Sequence, residues 1–179
     1  MIFRRKTSPT EASQNPARVT AESVPAAELR EASKTKKILL VDDDPIILGT
    51  LSLKLKSKGY QVVTASDGSQ AITITRKEKP DLMLLDVCFP PDVAHGGGVP
   101  WNGFLIIEWL RRLSDTSSLP VIVMSAADRA EYKQRASAAG AAAFFQKPID
   151  NEQLLTAIDT ALLHKDSVGA VKPAAVFEI

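Results

Sequence analysis

The sequence predicts an α/β protein built as a three-layer, doubly wound, five-stranded parallel sheet. Short apolar runs that are typical of strands alternate along the chain with segments that are typical of helices. Several runs are almost continuously apolar, as expected for strands covered on both faces, and right-handed crossovers place helices on both sides of the sheet. The predicted strands span residues 37–41, 60–65, 81–86, 120–125 and 142–146.

Capping residues mark the ends of the helical segments. Asp44 is a suitable N-cap and Pro45 suits the first helical position, so the first helix starts there. Gly59 is the predicted stop of that helix, because glycine readily adopts a positive φ. Asn102 is the predicted cap of the third helix and Asp150 that of the fifth.

The charges are unevenly distributed along the 179 residues. The chain carries 22 basic and 21 acidic side chains, but the stretch up to Lys37 has eight basic and four acidic ones, a net charge of +4. The remaining 14 basic and 17 acidic residues give −3. Three prolines and few large apolar residues in the first stretch predict a flexible basic extension over residues 1–35. We therefore predict a folded domain over residues 36–164 and a C-terminal tail over residues 165–179.

Composition excludes several classes of protein. The near-balance of charge argues against the binding of a large polyanion as the main function. No apolar run approaches the roughly 20 residues of a membrane-spanning helix. The single cysteine, Cys88, cannot form an internal disulfide, and residues 1–6 are followed by no apolar stretch of the signal-peptide type. These features predict a cytoplasmic protein without a membrane span.

Acidic residues follow two of the predicted strands. Asp42 and Asp43 come directly after the first strand, and Asp86 ends the third. Ligands of doubly wound sheets bind at the carboxyl ends of the strands, so the three carboxylates are expected to converge there. Neighbouring carboxylates repel one another unless a cation lies between them, and oxygen-only ligands suit Mg²⁺. A solvated acidic turn remains the alternative for Asp42 and Asp43 taken alone.

A hydroxyl and an ammonium group join the same predicted edge. Ser125 ends the fourth strand, and Lys147 follows the fifth, directly before Pro148. Each residue alone is more typical of a strand-end hydroxyl or a surface lysine. Together with the three acids they provide what a phosphoryl group requires: a cation, a hydrogen-bond donor and a positive charge around a carboxylate nucleophile.

Five motifs in this order make the chain resemble the receiver domain of response regulators in two-component signalling. They are ILLVDDDP (38–45), DLMLLD (81–86), VIVMSA (121–126), AGA (139–141) and KP (147–148). The resemblance covers about residues 36–164. It implies a flavodoxin-like sheet with strand order 2-1-3-4-5 and a phosphoacceptor signalling protein rather than an enzyme with turnover.

The resemblance also implies roles for the residues at the predicted edge. Asp86 would accept the phosphoryl group, and Lys147 would contact the phosphoryl oxygens. The implied ligands of Mg²⁺ are Asp42, Asp43, Asp86 and the backbone carbonyl of Cys88.

Two further residues are implied to act as a switch. Ser125 is the hydroxyl that would move toward a new phosphate, and Phe144 matches the aromatic residue whose rotation accompanies activation in the family. A plain core aromatic remains the alternative for Phe144. The family resemblance also implies that the Lys147–Pro148 peptide bond is cis.

The implied phosphodonor is a sensor histidine kinase or a histidine phosphotransfer protein, and the downstream target is an unknown protein. No DNA-binding module follows His164 in the sequence, so a stand-alone receiver is the preferred interpretation. Phosphorylation is expected to change the surface of the fourth helix, fifth strand and fifth helix, which is also a candidate homodimer interface.

The sequence departs from the family pattern after Asp86. The loop at residues 87–102 is longer than usual, and it is expected either to screen partners at the site or to be a tolerated surface insertion. Cys88 and Ala127 offer no carboxylate or amide that could orient a hydrolytic water, which predicts slow self-dephosphorylation. The thiol of Cys88 itself is expected to be buried and inert rather than oxidisable.

Two other classes of function are compatible with the sequence. Haloacid dehalogenase-like phosphatases also place aspartate, hydroxyl, lysine and Mg²⁺ at the edge of a doubly wound sheet, but their nucleophile follows the first strand in an Asp-x-Asp pattern. The other class is an interaction scaffold tethered by the basic N-terminal arm, whose charges are scattered and lack interleaved aromatic residues.

Overall fold

The computed structural model describes residues 35–88, 103–126 and 130–167. Strands and helices alternate throughout this part of the chain, as the sequence predicts. In chain order the elements are β1 (Lys37–Val41), α1 (Pro45–Ser57), β2 (Gln61–Ala65), α2 (Gly68–Glu78), β3 (Leu82–Asp86), α3 (Gly103–Arg112), β4 (Val121–Ser125), α4 (Ala130–Ala138), β5 (Ala143–Gln146) and α5 (Asn151–Ser167).

The strands form one parallel sheet whose order is β2-β1-β3-β4-β5, which confirms the predicted doubly wound topology. β1 lies next to β3, with Val41 opposite Leu85. On its other side β3 pairs with β4, with Asp86 opposite Met124. The carboxyl ends of these neighbouring strands therefore meet along one edge of the sheet.

Alternate residues of the central strands enter two hydrophobic clusters, one on each face of the sheet. Leu39 and Met83 belong to a cluster with buried residues of α2, α3 and α4. Leu40 and Leu84 belong to a second cluster with buried residues of α1 and α5. All four side chains are inaccessible to solvent. This burial on both faces explains why the sequences of β1 and β3 are almost continuously apolar.

The helix ends agree with the predicted caps in the part of the chain that the structure describes. The side chain of Asp44 accepts a hydrogen bond from the amide of Ile46 (2.8 Å), and Pro45 is the first residue of α1. Gly59, just beyond that helix, has a φ of +94°, which favours glycine. Asp150 accepts two backbone amide hydrogen bonds (2.9 Å each) at the start of α5.

Several boundaries differ from the prediction. β2, β3, β4 and β5 each begin one residue later than predicted. α5 continues to Ser167, so the tail predicted from residue 165 begins inside a helix. Lys165 contributes to this extension, because its Nζ donates to the carbonyl oxygen of Asp81 (3.1 Å).

Some predictions lie outside the described residues: the extension up to residue 34, the Asn102 cap and the tail beyond residue 167. None of the helices within the described ranges has the length and apolar character that crossing a membrane requires.

Candidate functional site

Three aspartates converge at the carboxyl edge of the sheet. Asp42 and Asp43 directly follow β1, and Asp86 is the last residue of the neighbouring strand β3. One carboxylate oxygen of each residue lies within 4.8 Å of the other two. Asp42 and Asp86 are buried, whereas Asp43 is exposed, so the cluster extends from the sheet to the surface.

Lys147 connects the two buried carboxylates. Its Nζ atom lies 2.7 Å from Oδ2 of Asp42 and 2.7 Å from Oδ2 of Asp86. The backbone amide of Lys147 donates to the carbonyl oxygen of Ser125 (2.7 Å), and the peptide bond to Pro148 is cis, as expected. The chain that follows β5 thus brings the ammonium group to the acidic cluster.

Two backbone amides orient the buried carboxylates. The amide of Asp44 donates to Oδ1 of Asp42 (3.0 Å), and the amide of Cys88 donates to Oδ1 of Asp86 (2.8 Å). In each carboxylate, therefore, one oxygen accepts from the main chain and the other accepts from Lys147. Such charge-assisted hydrogen bonds fix the orientation of both groups.

The cluster carries more negative than positive charge, since Lys147 pairs with Asp42 and Asp86 while Asp43 adds a third carboxylate. Burial raises the pKa of Asp42, and the charge of Asp86 adds to this effect, although hydrogen bonds from Lys147 and from the amide of Asp44 oppose it. Burial alone would lower the pKa of Lys147, but its hydrogen bonds to Asp42 and Asp86 outweigh burial and raise it. Lys147 is therefore protonated at neutral pH, and the remaining negative charge favours a further cation.

The donor set fits a hard divalent cation. Mg²⁺ prefers oxygen ligands and is typically bound by few carboxylates together with phosphate oxygens. Asp42, Asp43 and Asp86 supply such oxygens, and a cation would relieve the repulsion that Lys147 offsets only in part. The fourth expected ligand is the carbonyl group of Cys88, the residue whose amide orients Asp86.

Ser125 and Cys88 contact each other beside the acidic cluster. Ser125 ends β4 and is completely buried, and its Oγ atom lies 3.1 Å from Sγ of Cys88. The expectation of a buried Cys88 is wrong, because this residue is exposed. The chain leaves the sheet after Val87, whose amide still donates to the carbonyl oxygen of Met124 (3.1 Å).

Phe144 lies in β5, where its register partner is Val123 of β4. It is partly buried and packs against the hydrophobic cluster that contains Phe104 and Ala136. A partly buried ring beside α4 is compatible with both interpretations of Phe144, an aromatic switch and an ordinary core residue. The switch role of Phe144 therefore stays a prediction.

Gly103 is a residue at the site that the sequence patterns do not single out. It is the first residue of α3, and a Cβ atom added there would lie 2.6 Å from Cα of Val87 and 2.7 Å from the carbonyl oxygen of Asp86. Both neighbours are backbone atoms, which cannot move aside without shifting β3. Glycine therefore lets α3 begin directly against the end of the strand that carries Asp86. Glycine at a helix start is too common to reveal this contact from sequence alone.

We expect the substitution Gly103→Ala to lower the free energy of unfolding by about 1–3 kcal/mol, the usual cost of overpacking a tight contact. Urea denaturation followed by circular dichroism measures this change. Gly49→Ala in α1 is the matched control, because its added Cβ meets no atom within 4 Å. In a helix interior this change should leave stability unchanged or raise it by up to about 1 kcal/mol. Equal stabilities of the two variants would contradict the proposed contact.

The long loop after Asp86 and the residue Ala127 fall largely outside the described residues, which omit 89–102 and 127–129. The expectations that this loop screens partners and that Ala127 slows dephosphorylation therefore stay predictions.

A sequence model of one family, the response regulator receiver domain, matches residues 38–159. Protein PilH of Pseudomonas aeruginosa is 34 % identical over 126 residues, which cover 70 % of this chain and 97 % of PilH. The probable transcriptional regulatory protein TcrX of Mycobacterium tuberculosis is 31 % identical over 138 residues. That match covers 77 % of this chain and 54 % of TcrX, so the chain spans about half the length of this relative.

Solved structures give the same result. The chemotaxis protein CheY4 of Vibrio cholerae has a TM-score of 0.62 and 30 % sequence identity, covering 72 % of this chain and 99 % of the CheY4 chain. A CheY-like response regulator receiver domain protein from Methanospirillum hungatei has a TM-score of 0.65 and 26 % identity, covering 75 % of this chain and 98 % of the other. Sequence and structure comparisons therefore agree on one kind of domain.

Proposed function

The chain belongs to the response regulator receiver family, and on that premise we propose that it accepts a phosphoryl group on Asp86. The phosphodonor is a sensor histidine kinase or a histidine phosphotransfer protein, and the product is an aspartyl phosphate. The observation that carries the proposal is the hydrogen bonding of Asp86 to Lys147 and to the amide of Cys88, within a cluster of three carboxylates.

Asp86 is better placed than Asp42 to be the acceptor. Its strand, β3, lies between β1, which leads to the other two acids, and β4, which ends in Ser125. The side chain of Asp42 is completely buried, whereas that of Asp86 retains 5 % exposure. An incoming donor can therefore reach Asp86. It would find Lys147 in contact with this residue and Ser125 at the end of the neighbouring strand β4.

In the proposed reaction, a carboxylate oxygen of Asp86 forms a bond to phosphorus while the bond from phosphorus to the imidazole nitrogen of the donor breaks. The donor histidine keeps the electron pair of the broken bond. Because the nucleophile is a carboxylate, the step needs no general base. Its transition state is loose, so positioning and charge neutralisation provide most of the catalysis.

We propose Mg²⁺ as the cofactor, held by Asp42, Asp43, Asp86 and the backbone carbonyl of Cys88. When bound, it would offset the repulsion between the carboxylates and the phosphoryl oxygens. Lys147 provides a second positive charge, and its two 2.7 Å hydrogen bonds hold Nζ at the site before the donor arrives. A positioned charge in a mostly buried site needs little reorganisation during the reaction.

After transfer, Ser125 is proposed to donate a hydrogen bond to a phosphoryl oxygen, and Phe144 to turn inward. The two residues lie on the neighbouring strands β4 and β5, so both changes act on the surface of α4, β5 and α5. This surface is proposed to contact the downstream protein or a second copy of the chain. Phosphorylation then shifts an equilibrium between two existing conformations.

The proposed role is that of a cytoplasmic signalling protein that acts through protein contacts, rather than an enzyme with a dissociable substrate. Hydrolysis of the aspartyl phosphate is proposed to be slow, because Cys88 and Ala127 provide no carboxylate or amide to orient water.

The proposal predicts that the chain gains one phosphoryl group when it is incubated with Mg²⁺ and acetyl phosphate, which releases acetate. Intact mass spectrometry measures the gain, and a chelator of divalent cations should prevent it. A chain that never gains a phosphoryl group would contradict the proposal. Continuous phosphate release from a phosphomonoester, with no stable gain in mass, would instead support a phosphatase.

A further inference from the structure

The contact between Cys88 and Ser125 connects the proposed acceptor with the proposed switch. The amide of Cys88 donates to Oδ1 of Asp86 (2.8 Å), and its Sγ lies 3.1 Å from Oγ of Ser125. Cys88 is exposed, whereas Ser125 is completely buried. Cys88 thus contacts the proposed acceptor, Asp86, through its backbone amide and the hydroxyl of the proposed switch residue, Ser125, through its thiol.

We propose that the thiol of Cys88 is a positioning residue that holds the Ser125 hydroxyl in its resting orientation and competes with the phosphoryl group for it. This inference rests on the proposed function, in which the same hydroxyl donates to a phosphoryl oxygen on Asp86. In the unphosphorylated domain the hydroxyl faces sulfur, and phosphorylation replaces this partner.

The surroundings of Ser125 confine the change to its side chain. Its main chain is fixed in the sheet, because its carbonyl oxygen accepts from the amide of Lys147 (2.7 Å) and its register partner is Gln146. A hydroxyl on a fixed backbone moves between staggered rotamers, and such a rotation takes Oγ away from Sγ. The hydroxyl therefore leaves the thiol when it turns to another partner.

Sulfur is suited to this role because it is a weak hydrogen-bond partner. A thiol is a weak donor and a weak acceptor, whereas a phosphoryl oxygen forms a strong, charge-assisted hydrogen bond. The resting contact is therefore weak enough to be replaced by a phosphoryl oxygen. A stronger hydrogen bond between Cys88 and Ser125 would oppose the movement of the hydroxyl to the phosphoryl group.

The resting contact can be tested without phosphorylation. Cys88 is the only cysteine of the chain, so the S–H stretching band in the Raman spectrum reports on this one thiol. We expect the band to shift in Ser125→Ala, because the thiol loses its hydroxyl partner. An unchanged band would overturn the proposal, whatever the protein does with phosphoryl donors.

The competition is tested with beryllofluoride, a phosphoryl mimic, in the presence of Mg²⁺. Cys88→Ala should bind it roughly threefold more tightly, as expected for removal of one weak hydrogen bond. Cys88→Ser places a stronger hydrogen-bonding group at this position, so it should bind beryllofluoride no more tightly than the wild type does. In a Ser125→Ala background, Cys88→Ala should have no further effect, because there is no hydroxyl left to release.

The two experiments distinguish the resting contact between Cys88 and Ser125 from its competition with the phosphoryl group. An equal effect of Cys88→Ala with and without Ser125 would overturn the competition, since the cysteine would then act through its size alone. If the wild type fails to bind beryllofluoride although the Raman band shifts, the resting contact stands, while the proposed function and the competition built on it are both rejected.

Discussion

We expect the Asp86→Asn variant to take up no phosphoryl group from acetyl phosphate and Mg²⁺ under conditions in which the wild type gains one. The asparagine amide has nearly the same shape but is not a nucleophile for phosphorus, and it removes one of the three carboxylates of the cation site. Lys147 retains its hydrogen bond to Asp42 in this variant, so the fold should persist. Intact mass spectrometry measures uptake, and circular dichroism measures folding.

Asp67→Asn is the matched control for this experiment. Asp67 follows β2 at the same edge of the sheet and caps α2, where its side chain accepts a hydrogen bond from the amide of Gln70 (2.8 Å). Asparagine caps helices about as well as aspartate does, so this variant should gain one phosphoryl group at the wild-type rate. Uptake by Asp86→Asn, or its loss in Asp67→Asn, would argue against Asp86 as the acceptor.

We expect Lys147→Met to have the largest effect on stability. The substitution removes the ammonium group that lies 2.7 Å from both Asp42 and Asp86, whose side chains are 0 % and 5 % exposed. Removing one partner of a buried ion pair leaves uncompensated charge and costs about 3 kcal/mol or more. Urea denaturation without divalent cations should show this decrease in the free energy of unfolding. Phosphoryl uptake should fall as well, because the variant lacks the charge that stabilises the transferred group.

Lys165→Met is the control for a lysine in a more exposed ion pair. Its Nζ lies 3.5 Å from Oδ1 of Asp81, and the two side chains are 28 % and 27 % exposed. Such a pair contributes at most about 1 kcal/mol, and the hydrogen bond from Nζ to the carbonyl oxygen of Asp81 (3.1 Å) contributes a similar amount, so this variant should lose clearly less stability than Lys147→Met. Addition of Mg²⁺ should restore part of the stability of Lys147→Met, because a cation can replace the lost charge. Equal unfolding energies of the two variants would contradict the central role given to Lys147.

The fold could be predicted because its strands are buried on both faces. Leu39 and Leu40 point to opposite sides of the sheet and are both fully buried, so the apolar run of β1 identifies a central strand. The convergence of Asp42 and Asp86 follows from the same reasoning, because parallel neighbours end at one edge of the sheet. Caps such as Asp44 depend only on local sequence and are therefore predictable.

The details of the site depend on contacts between distant segments and could not be predicted from patterns alone. Lys147 lies 105 residues beyond Asp42, and its position between two carboxylates depends on the path of the chain after β5. The contact of Cys88 with Ser125 joins residues that are 37 positions apart, and the exposure of Cys88 depends on where the chain leaves the sheet. No local pattern specifies these positions.

Reduction of the phosphorylated chain with borohydride tests the central claim most directly. This reagent converts an aspartyl phosphate to homoserine and leaves free carboxylates unchanged, so peptide mass spectrometry can locate the modified residue. We predict homoserine at position 86, and none at positions 42 and 43. Homoserine at either of those positions, or a phosphorylated chain with no homoserine, would contradict the assignment of Asp86 as the acceptor.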